Sequence, residues 1–207
     1  HRVMETLRRL VPDVEVYSID EAFLRLAFGP KSSLLKLGQE IRETVLRWTG
    51  LPVSVGIGPT KTLAKAANRI AKEHPGNQGV YAVTTKPEIT DLLEHTPVKS
   101  VWGIGWGISK KLHDFKVKTA ADLVQMPKLW ISKSFGISGL KTALELKGNP
   151  CIELSDVPVS KKNIIRSRSF GRAVYALEDL QEAVAHFTST ACQKLRQQHS
   201  LANYISV

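Results

Sequence analysis

Residues 14–26 read V-E-V-Y-S-I-D-E-A-F-L-R-L, and the fold turns on them. Valine, tyrosine, isoleucine and phenylalanine on both sides favour extended chain, whereas the adjacent carboxylates of Asp20 and Glu21 are costly to bury without partners. The stretch therefore predicts two strands joined by a tight turn, with the acids at the bend. Neighbours on an ideal strand point to opposite faces, so both acids reach one site only where the backbone bends. Side-by-side hard oxygen donors suit Mg²⁺, which takes one or two carboxylates and completes its shell with water and substrate phosphates. Two-metal phosphoryl transfer uses such a pair. Taken alone, the dipeptide is more often the polar tip of a hairpin with no ligand.

Working outward, Val3, Leu7 and Leu10 fall at helical spacing before Pro12 and Asp13 break the pattern, so a helix is expected to end near Leu10. Downstream, Ser32 or Ser33 can cap a helix running to about Thr49, with Leu34, Leu37, Ile41, Val45 and Trp48 on one stripe and Gly50 as its stop. A strand over 51–57, a helix begun by Gly58-Pro59-Thr60 and reaching Glu73, and a strand over 79–84 follow. The order α-β-β-α-β-α-β is that of a split βαβ sheet with helices on one face and its first strand cut off. From Pro87 to Gly148 short helical patterns alternate with turn glycines, a separate helical module. Residues 155–163 have linker composition; 164–175 alternate as a strand would, a helix covers 177–198, and a strand starts at 203–207.

The 207 residues carry 29 Lys and Arg against 19 Asp and Glu, a net charge of +10, with 43% hydrophobic residues. That length suits one to two domains with a real core, which argues against disorder, and no apolar run approaches the roughly 18 residues of a membrane span. Cys151 and Cys192 lie far apart with no Cys/His cluster, against a disulfide scaffold or a zinc module and for a reducing, cytoplasmic setting. The chain opens at His1 inside an amphipathic pattern and reads as a piece of a longer protein. Two basic runs lack acids: Lys61, Lys65, Arg69 and Lys72, then Lys161, Lys162, Arg166, Arg168 and Arg172. They are candidate phosphate-contacting surfaces, set against the ordinary fate of charge runs as solvated faces.

The string S-I-D-E-A-F-L at 18–24 resembles the second catalytic motif of Y-family translesion DNA polymerases. The resemblance continues through V-S-V-G-I-G-P-T-K-T-L-A-K-A-A-N at 53–68, V-W-G-I-G-W-G-I-S-K-K-L at 101–112, L-K-G-N-P-C at 146–151 and I-I-R-S-R-S-F-G at 164–171. The wording of K-T-L-A-K, V-W-G-I-G and S-R-S-F-G is closest to the UmuC (ImpB/MucB/SamB) branch. The implied fold is α+β and multidomain. A partial ferredoxin-like palm would occupy 1–86, a thumb with a helix-hairpin-helix 87–155, a linker 156–163 and a partial little-finger α/β domain 164–207.

The resemblance implies that Asp20 is a metal ligand shared with the incoming triphosphate and that Glu21 helps hold an ion near the primer 3′ hydroxyl, with two Mg²⁺ ions as cofactors. Where the family often has another Asp, this chain has Arg25. The family's opening strand, with the first catalytic Asp, the steric-gate aromatic and the fingers, has no counterpart in these 207 residues. The fragment by itself is therefore expected to be inactive.

Lys61, Lys65 and Arg69 are four apart and share a helix face whose N-terminus, after glycines, favours a triphosphate or DNA backbone nearby. The resemblance assigns Lys65 to the triphosphate, whereas Lys61 and Arg69 are as readily solvated charges over Leu63, Ala67 and Ile70. Gly103 and Gly105 let backbone N–H groups approach a phosphate without a Cβ in the way. Gly103, Ile104, Gly105 and Lys110 would thus bind DNA backbone as the thumb's hairpin, with Trp102 and Trp106 read as hydrophobic packing. Arg166 and Arg168 share one face of the expected strand and, with Arg172, would grip template and primer phosphates.

The function implied is Mg²⁺-dependent addition of dNTPs to a primer end past damaged template bases, in SOS-type repair. Primer-template DNA, a UmuD-like dimer, a RecA filament and a sliding clamp are the implied partners, with no membrane involved. The reading from another class is a non-catalytic module that binds DNA backbone and carries a vestigial acidic pair.

Overall fold

The structure, a computed structural model, describes residues 1–27, 29–155 and 162–207. Helix α1 (Arg2–Leu10) leads into strands β1 (Val14–Val16) and β2 (Ala22–Leu24), then helix α2 (Lys31–Thr49), strand β3 (Val55–Ile57), helix α3 (Lys61–Glu73) and strand β4 (Val80–Ala82). This is the order expected from the sequence. Helix α2 starts at Lys31 behind Pro30 without a side-chain cap, so the expected serine cap is not formed; Gly50 closes the helix in the left-handed region at φ 75°. On its inner stripe Leu34, Ile41 and Val45 are buried, while Trp48 lies beyond the edge of the core and is exposed.

Four strands form two separate ladders instead of one sheet. β1 and β2 pair antiparallel, with Val14 opposite Leu24 and Val16 opposite Ala22. β3 and β4 pair parallel, with Val55 opposite Val80, joined through α3 as a βαβ unit. Among the described residues no ladder joins the two pairs. An apolar trough of about 990 Å³ is lined by both, with Ala22 and Leu24 on one wall, Val55 and Ile57 on the other, and Leu34 and Ile41 of α2.

Helix α3 lies directly on β3. A Cβ on Gly56 would stand 2.1 Å from the Asn68 nitrogen and 2.3 Å from the Ala64 carbonyl oxygen, so only glycine permits this approach. Beyond β4 follow α4 (Lys86–Glu94), α5 (Trp106–Asp114), α6 (Ala120–Gln125) and α7 (Lys128–Leu146), the last kinked at Gly136 (φ 70°). Their apolar faces share a core with α3: Leu63 and Ala67 cluster with Leu92, Leu112, Leu123, Ile131 and Leu146. Residues on both sides of Pro87 thus belong to one unit, His1–Asp156.

The second unit is Val157–Val207. Its described part holds α8 (Leu177–Gln197), near the expected bounds, and none of that helix's residues is buried. The strands expected over 164–175 and 203–207 are not formed. Alternation alone makes no strand, because a strand's N–H and C=O groups need a neighbouring ladder. The linker expected at 156–163 lies, apart from 162 and 163, outside the described residues, as does Lys161.

Candidate functional site

The β1–β2 ladder presents the acidic pair. Five residues, 17–21, connect the strands, and the Glu21 carbonyl accepts from the Tyr17 N–H at 3.0 Å and the Ser18 N–H at 3.1 Å, which closes the turn. Asp20 is exposed at its tip. Ser18 Oγ donates to Asp20 Oδ1 at 2.7 Å, and that hydroxyl holds the carboxyl below its ordinary range, helped by the positive charges of Lys72 and Lys65. Glu21 is partly buried and takes Lys65 Nζ at 2.5 Å. Asp20, Glu21, Lys65 and Lys72 line one end of the trough.

The three α3 cations that share a face do different work. Lys65 faces the acids and also lies 5.8 Å from the centre of the Tyr17 ring. Lys61, one turn earlier, is only 9% exposed, pairs with Glu15 of β1 at 2.5 Å and donates to the Glu153 carbonyl at 2.7 Å. It is a structural tie and not a solvated charge, because Glu15 on the inner side of β1 needs a buried partner. Arg69 pairs with Glu73 along its own helix at 2.7 Å.

The expectation that the N-terminus of α3 is open to a phosphate is corrected. Its first turn already holds an anion, the Glu145 carboxylate of α7, which accepts from the Thr62 N–H and the Thr62 hydroxyl, each at 2.9 Å. Glu145 is fully buried. Sequence reasoning missed it and Glu15, because the α3 residues that they hold, Thr62 and Lys61, lie 83 and 46 residues away.

At 101–105 the chain turns into α5. Gly103 has φ 86°, Ile104 is buried among the helices, and Gly105 occupies the N-cap position with no side chain to cap the helix. The first N–H groups of α5 therefore meet no side-chain cap, and Lys110 is exposed one turn on, 5.6 Å from the Trp106 ring centre. Trp102 packs as expected, against Tyr17 and Phe23 with ring centres 5.4 and 5.3 Å away, and its indole N–H donates to the Tyr17 hydroxyl at 3.0 Å. Trp106, the first residue of α5, does not pack into the core: it is 82% exposed. Arg166, Arg168 and Arg172 are exposed, lie on no strand, and pair with no carboxylate among the described residues.

Among the described residues no three His, Cys, Asp or Glu side chains gather as a metal site. Asp20 and Glu21 still fit a magnesium ion chemically. They offer adjacent hard oxygens beside cations that would meet phosphate, and Mg²⁺ draws the rest of its shell from phosphate and water.

The fold is that of Y-family DNA polymerases. DinB from Sulfolobus solfataricus matches with a TM-score of 0.59 at 26% identity, over 74% of this chain and 45% of that one. A Y-family DNA polymerase chimera matches at 0.60 and 25% identity, over 74% of this chain and 44% of its own. The impB/mucB/samB family model matches residues 1–69, and that of the impB/mucB/samB family C-terminal domain residues 161–207. Protein UmuC of Salmonella typhimurium is 44% identical over all of this chain and 49% of its own length. Protein MucB of Escherichia coli is 39% identical over all of this chain and 49% of its own. DNA polymerase IV of Shewanella frigidimarina is 27% identical over 94% of this chain and 53% of its own. The chain belongs to the impB/mucB/samB family, in the UmuC branch of the Y-family polymerases, and spans about half the length of its curated relatives.

Proposed function

We propose that this chain is the central part of an error-prone translesion DNA polymerase, with a palm at 1–86, a helix-hairpin-helix thumb at 87–155 and the start of a little finger at 164–207. The observation that carries it is the Asp20–Glu21 turn held against Lys65 at 2.5 Å on the wall of an open trough. Among the described residues no further strand pairs with β2 or β3 along that trough, which leaves room there for the opening strand that the resemblance implies. Asp20 and Glu21 would hold Mg²⁺, which when bound neutralises charge developing on the transferred phosphoryl group.

The chain's own residues have these tasks. The Ser18 hydroxyl bond orients the exposed Asp20 carboxylate at the tip of the turn, where it would meet a cation. Lys65 alternates between Glu21 and a triphosphate, placing a point charge beside the leaving pyrophosphate. The uncapped start of α5 at Gly105, with Lys110 alongside, takes a DNA phosphate through backbone N–H groups, and Arg166, Arg168 and Arg172 contact further phosphates. The setting proposed is SOS-type repair in the cytoplasm with a UmuD-like dimer, a RecA filament and a sliding clamp. Among the described residues no helix is long and apolar enough to cross a membrane.

Primer extension with Mg²⁺ tests this reading. The full-length gene product should extend a primer, its Asp20→Ala form should lose extension by at least about a hundredfold, and the 207-residue chain should be silent. Binding of primer-template by all three with extension by none would overturn it in favour of a backbone-binding module.

A further inference from the structure

We infer that Glu145 is a positioning residue for the nucleotide site: from α7 it sets the start of α3 and thereby the place of Lys65. The inference rests on the polymerase reading of Lys65 given above. Glu145 is fully buried, yet four donors meet its carboxylate. Oε2 takes the N–H and hydroxyl of Thr62, each at 2.9 Å; Oε1 takes the N–H groups of Cys151 at 3.1 Å and Ile152 at 2.9 Å. Its own backbone carbonyl accepts from the hydroxyl of Thr60, the N-cap of α3, at 2.9 Å.

Two carboxylate oxygens offer about four acceptor positions, so the group is saturated and has none left for substrate or metal. Its effect must therefore act through what it holds. What it holds is the first turn of α3 and the strap at 151–152, and Thr62 and Lys65 are one helical turn apart on neighbouring positions. Any tilt or slip of this turn moves the Lys65 ammonium relative to Glu21. Lys61 reinforces the same end through Glu15 and the Glu153 carbonyl, so the start of α3 is fastened from two sides. A negative charge at a helix N-terminus also suits the partial positive charge there.

Glu145→Gln keeps the shape but its NH₂ turns toward Thr62, whose hydroxyl can accept it while the Thr62 N–H loses its acceptor, because the N–H groups of Cys151 and Ile152 still need the oxygen; the Thr62 side of the clamp opens. Glu145→Asp keeps the charge and shortens the reach. In the full-length gene product, dNTP titrations of primer extension should show the KM for dNTP rising about tenfold in Glu145→Gln and less in Glu145→Asp. In a Lys65→Ala background the Glu145→Gln change should add less than about twofold, since the effect runs through Lys65. Amide exchange on the 207-residue chain should show Thr62 losing protection in Glu145→Gln, which reads the clamp without any catalysis.

A lowered melting temperature with the dNTP KM unmoved would overturn the inference. So would a KM effect that multiplies with Lys65→Ala, and so would failure of both Glu145 variants to fold, which would make the residue one of folding alone. Absence of extension by the unaltered protein, or a Lys65→Ala form with normal KM, would overturn the polymerase assignment of Lys65 and this inference with it. Extension that depends on Lys65 but ignores Glu145 sinks only the latter.

Discussion

Lys61 and Lys65 stand one turn apart on one helix and have opposite fates, decided by burial. Lys61 is enclosed with Glu15, and removing it takes the cation from a carboxylate that still accepts from the Ser155 N–H at 2.6 Å; Lys61→Ala should cost about 2 kcal/mol in chemical denaturation. Lys65 is more open, and Lys65→Ala should change stability by less than about 1 kcal/mol while weakening nucleotide use. Glu88 gives the clearest pH signature. Its carboxylate accepts from Lys31 Nζ at 2.6 Å and from the Thr84 N–H at 2.8 Å, which hold it down to about 2 from 4.5. A depressed folded value adds stability that is complete above 4.5 and disappears as pH falls toward 2. The gap in melting temperature between the unaltered chain and Glu88→Gln should be constant near neutrality and close within that window.

At the scale of elements, the contact of α3 with β3 is the tightest joint near the site. Gly56→Ala would press a methyl into the backbone of α3, where nothing flexible can yield, at a cost of about 3 kcal/mol or more. At about 2–4 °C per kcal/mol for a chain of this size, a calorimetric melting point lower by roughly 10 °C is expected. The joint between the β1–β2 ladder and the turn at 101–105 is softer and aromatic. Trp102→Ala removes two ring contacts and the bond to Tyr17, and should cost about 2 kcal/mol. The periodicity of α1, α2 and α3 was legible because each has one apolar stripe. The separation of the four strands into two ladders was not, since pairing depends on which edges meet.

Across the whole molecule the two units differ in how they are held. His1–Asp156 owns the hydrophobic clusters, whereas α8 in the second unit buries no residue. A peptide of residues 162–207 should therefore show weak, non-cooperative helical circular dichroism, because a lone helix gains little without a packed face. The net charge of +10 should appear as salt-sensitive binding to primer-template. Alanine at Arg166, Arg168 or Arg172 should each lower the slope of log affinity against log salt by about one, with no change in sequence preference. A slope left unchanged by all three would remove these arginines from the interface.

The sequence by itself determined the order of elements through β4, the turn that carries Asp20 and Glu21, the glycine-marked turn at 103–105 and the family. These are properties of residues close together in the chain: alternation, helical spacing, turn chemistry and contiguous motifs. Only the tertiary structure decided that Lys61 is buried and Lys65 faces the acids, that Glu145 fills the helix end expected to await a phosphate, that Trp102 packs while Trp106 does not, and that 164–175 forms no strand. Each of these depends on a partner many residues away, and burial, pairing and the sharing of a buried charge are set by what the fold brings together.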